Sequence, residues 1–187
     1  HVYLQDPRVA EIDPSVGIQT IEIIKEPSLR SGPASARLVV VDYDADKGEL
    51  YQGARLKMVR GKVSHFVTPS GDPLDDKAAD SRAFRQVNAW AVAQSVLDLF
   101  EQSTALGRQL PWGFEGSRMM VVPHAGYANN AYYDRSSKAL LLYYYGDPDA
   151  PKYTCLSHDI IAHEMGHAIL DGLRPYYLQF TPVDTAA

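Results

Sequence analysis

His163 and His167 bracket Glu164 in the run His163-Glu164-Met165-Gly166-His167, and no other feature constrains the chain as much. Residues four apart stack on one face of an α-helix. Both imidazoles can then reach a single tetrahedral ion at nitrogen–metal distances of about 2.0–2.1 Å. Glu164 lies one residue along, near enough to touch a water on that ion without ligating it. Such an ion lowers the pKa of water towards about 7 and polarises a carbonyl, while the carboxylate takes the proton. His163 and His167 are therefore candidate zinc ligands, and Glu164 is a candidate general base.

The flanking residues predict the helix this geometry needs, from about His158 to Asp171. Ser157 is a good N-cap, and Asp159 sits in the first turn, where the helix dipole favours an acid. Gly172 and then Pro175 end the helix. Ile161, Ala162, Met165, Ala168 and Ile169 form an apolar stripe for packing, with His163, Glu164, His167 and Asp171 expected on the opposite side. Gly166 costs about 1 kcal/mol of helix propensity, and a small residue there would allow close packing. A catalytic zinc takes three protein ligands plus water. Asp171 is a poor third, because His163, His167 and Asp171 would span about 12 Å along one helix. Asp184 has no supporting pattern, and no His follows His167. The third ligand is expected outside this chain.

The 187 residues suffice for one domain with a real core, and 45% hydrophobic with 22% charged residues is ordinary for a globular chain. A net charge of -5 argues against a nucleic-acid partner, which would want a basic face. The longest apolar runs, such as Ala139 to Tyr145, fall far short of a membrane span. The chain opens at His1 with no charged-then-apolar leader, as expected of a processed or excised piece. Cys155 stands alone, so no intrachain disulfide can form, and it has no Cys-x-x-Cys partner to complete a metal site.

Residues 1–75 read as a β-rich segment and residues 76–187 as a second unit. Ile18 to Lys25 and Ala36 to Tyr43 are strand-like runs, and Ala54 to Arg60 with Lys62 to Thr68 form a pair joined at Gly61. The acidic run Asp42 to Glu49 resembles a calcium loop, but its glycine comes one residue late, and a polar hairpin turn on Gly48 is the expectation. Ser81 to Leu106 carries apolar residues at helical steps around much of the wheel, predicting a long helix buried on most sides and stopped by Gly107. Strand signals return at Arg118 to Pro123, Asn130 to Asp134 and Lys138 to Tyr145, and Gly146-Asp147-Pro148 ends that sheet segment. The tyrosines at 132, 133 and 143 to 145 read as sheet packing.

Three stretches together resemble the thermolysin-like, glutamate-zincin metallopeptidases. Asp159 to Asp171 is similar to that family's active-site helix. Gly126-Tyr127-Ala128-Asn129-Asn130-Ala131-Tyr132-Tyr133-Asp134 resembles its substrate-binding edge strand. The helix with Asn88, Ala93-Gln94, Asp98 and Phe100-Glu101 resembles the long helix before that strand. The likeness covers roughly residues 80 to 175, and Asn-Ala-aromatic followed by H-E-x-x-H is more specific than the zinc motif alone.

The resemblance implies an α+β fold: a β-rich N-terminal lobe of a zincin-like enzyme, with a long buried helix and an active-site helix. It implies Zn²⁺ as cofactor and a peptide or protein as substrate, and it favours secretion without fixing the compartment. It assigns His163 and His167 to zinc, Glu164 to general base catalysis, and Asn130 with the backbone of Ala131 to binding an extended peptide by strand addition. In that family the third ligand is a Glu on the next helix, roughly twenty residues past the second His. The chain ends at Ala187, so a C-terminal lobe supplying that Glu is expected to be missing, and the chain alone is expected to show little activity. A zinc endopeptidase is the leading expectation, and a non-catalytic binding domain on the same scaffold is the alternative.

Overall fold

Asp6 and Pro7 start the first regular element in the computed structural model, which describes residues 1–3, 5–23 and 28–175. Asp184 and the end of the Ile18–Lys25 run lie outside the described residues. Strands β1 (Val2–Tyr3) and β2 (Ile18–Gln19) pair antiparallel around a short helix, α1 (Pro7–Ile12). A helix was not expected before residue 75. It forms because Asp6 caps the N–H of Arg8 and Pro7 fills the first turn, a signal present in the sequence.

Strand β3 (Leu38–Val40) is shorter than the apolar run that predicts it. The acidic run folds as a hairpin, β4 (Tyr43–Asp44) against β5 (Glu49–Leu50), with Gly48 at φ 65°. A second hairpin joins β6 (Arg55–Val59) to β7 (Lys62–Val67) through Arg60 and Gly61, both at positive φ.

Helix α2 (Arg82–Glu101) is capped by Ser81, whose Oγ accepts from the N–H of Phe84. It stops five residues before Leu106, in a turn closed at Gly107. Ser103 and Thr104 favour such a turn, because their hydroxyls compete for backbone hydrogen bonds. Every residue from Ala83 to Gln94 is buried, as a helix apolar on most sides requires. Its buried amide side chains are all bonded to other segments. Gln86 bonds to Asp42, Gln52 and Ala54. Asn88 bonds to Tyr3 and Cys155, and Gln94 to Ser35.

Strands β8 (Met119–Val122), β9 (Ala131–Asp134) and β10 (Ala139–Leu142) complete a four-stranded sheet in the order β3-β8-β10-β9. β10 runs parallel to β8 and β8 to β3, whereas β9 is antiparallel to β10 and forms the edge. The Gly146-Asp147-Pro148 run does not end the sheet segment. It turns β11 (Tyr144–Asp147) into a hairpin with β12 (Ala150–Tyr153).

Helix α3 (His158–Leu173) follows. Alternate sheet residues Leu38, Met119, Val121, Leu140 and Leu142 face one way and are fully buried. They share one core with Trp90, Ala93 and Leu97 of α2 and with Ile161, Met165, Ala168 and Ile169 of α3. The fold is α+β, and α3 is held between α2 and the edge strand.

Candidate metal centre

Residues i and i+4 of α3 do meet. The Nε2 atoms of His163 and His167 lie 3.0 Å apart, and the ring centroids are 4.7 Å apart with the planes at 86°. Two nitrogens bound tetrahedrally to one zinc at about 2.0–2.1 Å would stand roughly 3.3 Å apart, so the pair is already close to chelating separation. His163 is exposed and His167 half-buried, so the shared point of both nitrogens faces solvent. His163, Glu164 and His167 each offer one ligand atom, and all three lie within 4.8 Å of one another. The two imidazoles suit zinc, and the Glu164 carboxylate stands beside them within reach of a water on such an ion.

Ser157 occupies the N-cap position as expected, but its side chain makes no capping bond and Asp159 alone serves the first turn. The apolar stripe packs as predicted. The polar side does not. Glu164 and Asp171 are buried, at 8% and 1% exposure, and both face the edge strand instead of lying opposite the core with His163. The helical wheel explains this: positions 164 and 171 fall on one line at the flank of the apolar stripe, and β9 comes down on that flank. Gly166 does not permit any close approach, since among the described residues nothing lies within 4 Å of a Cβ built there. The close approach is at Gly172, where a Cβ would stand 1.9 Å from the carbonyl oxygen of Pro111.

Glu164 is oriented from the strand. Its Oε2 accepts the N–H of Tyr133 at 3.1 Å. Because that N–H points away from β10, the alternation of an antiparallel pair puts Ala131 and Tyr133 on the unpaired edge of β9, with Tyr132 and Asp134 bonded to β10. Asn130 is exposed just before the strand, and its Oδ1 accepts the N–H of Ala131 at 2.9 Å. Asn130 and Ala131 therefore lie on the same edge that reaches Glu164.

Two residues at the centre escape a reading of the sequence. Tyr133 belongs to a run of tyrosines that reads as sheet packing, yet it contacts Glu164 through its backbone and Asp171 through its hydroxyl. Arg135, in the turn after β9, bonds to both oxygens of Asp171. Nothing in the local pattern separates it from a solvated surface arginine. Asp171 is thus committed to Tyr133 and Arg135, which removes it from the ligand set, as its spacing predicts.

A family model described as "Thermolysin metallopeptidase, catalytic domain" matches residues 41–171, more than half of the chain. No curated protein and no solved structure matches it. The family is zinc-dependent, and the match spans β4 to the last turn of α3, so the converging histidines fall inside it.

Proposed function

Because the chain belongs to the thermolysin metallopeptidase family, we propose that His163 and His167 hold its zinc and that Glu164 is the general base of an endopeptidase. The protein is a zinc-dependent metalloprotease acting on peptides or proteins. The observation that carries the residue assignment is the convergence of two imidazole nitrogens to 3.0 Å beside a carboxylate anchored by the edge strand.

Zinc, when bound, supplies Lewis acidity that polarises the scissile carbonyl and makes water acidic. The chain's own residues supply the rest. His163 and His167 present Nε2 from one helix face and would hold the ion between them. The Glu164 carboxylate accepts the proton of the attacking water and later returns it to the leaving amine. The N–H of Tyr133 occupies Oε2, which leaves Oε1 to take that proton. An extended substrate lies along the unpaired edge of β9 as an added strand, where main-chain groups of Ala131 and the Asn130 side chain receive it. The third protein ligand comes from outside the described residues.

Glu164→Gln separates binding from chemistry. In the complete protein, with the third ligand present, the variant should retain its zinc, measured by atomic absorption, while casein hydrolysis falls by on the order of 10²–10⁴. His163→Ala should lose both. Casein turnover by Glu164→Gln at the parent rate would refute the assignment. Metal titration of the 187-residue chain addresses the third ligand and the non-catalytic alternative together: tight one-to-one zinc puts that ligand within this chain, and weak binding puts it in another segment.

A further inference from the structure

Asp171 lies two turns beyond Glu164 on α3, is 1% exposed, and takes no part in the chemistry above. A buried carboxylate is strongly unfavourable unless it is paired and hydrogen-bonded. Here it is satisfied from one side only, by the edge strand and the turn after it. Tyr133 Oη donates to Oδ2 at 2.9 Å, Arg135 Nε donates to the same oxygen at 2.8 Å, and Arg135 Nη2 donates to Oδ1. Gly113 closes the far side. A Cβ at that position would stand 2.0 Å from Oδ2, so only glycine leaves room for the carboxylate.

Tyr133 also gives its backbone N–H to Glu164 Oε2. One residue of β9 therefore bonds to two carboxylates seven positions apart on α3, separated by about 10.5 Å along the helix axis. Burial, and then the bond to Asp171, push the Tyr133 hydroxyl well above the ordinary tyrosine range, so it remains a donor at any working pH. The helix does not need this bond to dock, because Ile161, Met165, Ala168 and Ile169 already bury its apolar face in the core. What the bond fixes is the strand.

We propose that Asp171 is a positioning residue which, through Tyr133 and Arg135, clamps β9 onto α3 and so sets the register between the peptide-binding edge and the Glu164 carboxylate. The clamp rests on the reading of β9 as the substrate strand and Glu164 as the base. Loss of the Tyr133 hydroxyl leaves the backbone N–H in place but frees the strand to shift, and shifts of about 1 Å at a reacting centre cost on the order of 10²-fold in rate.

The test uses the complete, zinc-loaded protein, third ligand included, with casein as substrate, and compares Tyr133→Phe and Asp171→Asn with Tyr144→Phe. The last variant removes an equivalent buried bond, Tyr144 Oη to Asp44 at 3.1 Å, on β11, which pairs with β12 and not with β9. Tyr133→Phe should speed amide exchange at Tyr133 about ten-fold and lower kcat by about ten-fold or more with KM changed less than about three-fold. Arg135→Lys should restore part of both relative to Arg135→Gln. Tyr144→Phe should alter neither. If exchange and kcat in Tyr133→Phe and Asp171→Asn match those in Tyr144→Phe, the clamp is overturned. The exchange arm needs no turnover, so it decides the clamp even if Glu164→Gln shows the catalytic reading to be wrong.

Discussion

Helix α3 contains two glycines whose replacement by alanine should move stability in opposite directions. Gly166 sits between the two histidines with nothing among the described residues within 4 Å of a built Cβ. An alanine there meets no neighbour and restricts the unfolded chain, a gain of about 0.5–1 kcal/mol. Gly172 occupies the last turn beneath the 111–112 loop. A Cβ there would lie 1.9 Å from Pro111 O, 2.9 Å from Pro111 C and 3.3 Å from Trp112 Cα. That oxygen is backbone, so relief requires the loop or the helix end to move by roughly 1 Å, at an overpacking cost of about 1–3 kcal/mol that outweighs the propensity gain. In a chain this long 1 kcal/mol shifts Tm by roughly 2–4 °C. Gly166→Ala should therefore melt about 2 °C higher and Gly172→Ala about 2–8 °C lower. Both are read by circular dichroism at 222 nm in the same zinc-loaded state, since bound metal raises Tm by mass action. A Gly172→Ala protein melting at or above the parent temperature would refute the close approach of the 111–112 loop to α3. Destabilisation by Gly166→Ala would mean that the space beside the histidines is filled.

Acid should weaken the fold through His124, which is fully buried, donates from Nδ1 to Asp42 at 2.7 Å and accepts from Arg85 Nε at 2.8 Å. Burial and the neighbouring Arg82 and Arg85 hold its pKa below the ordinary value against the pull of Asp42. Its folded pKa lies below its unfolded value of about 6.5, so its contribution is complete above that pH and is lost as pH falls through the folded value. Asp42 adds a loss below about pH 4, because burial raises its pKa but the His124, Gln86 and Arg82 contacts more than reverse that. The urea midpoint should drop between pH 7.5 and 5, and the drop should shrink in His124→Gln; equal drops would assign the effect elsewhere. Cys155 is fully buried, and burial pushes its thiol up to about 12. It should resist a thiol reagent at pH 8 until denaturant is added, and labelling of the native protein within minutes would contradict that burial.

The sequence alone determined what depends on residues close together along the chain. The two histidines on one helix face, the cap of α2 at Ser81, the hairpin at Gly48 and the turn at Arg60-Gly61 all follow from periodicity and local hydrogen bonding. The resemblance in residues 126–134 and 159–171 likewise rests on contiguous motifs, and the family match covers both. Tertiary structure decided which side of α3 each acid serves. The spacing placed Glu164 and Asp171 with the histidines, because a helical wheel gives the direction of a side chain and not the identity of what approaches it. The approach of β9 turned those two carboxylates into buried groups and brought Tyr133 and Arg135 to them from more than thirty positions away along the chain. The union of Asp42 with His124 spans 82 positions. Such pairings come from the order of strands in the sheet, which residues 38–142 reach only by packing on α2 and α3. No repeat or spacing along the chain encodes them.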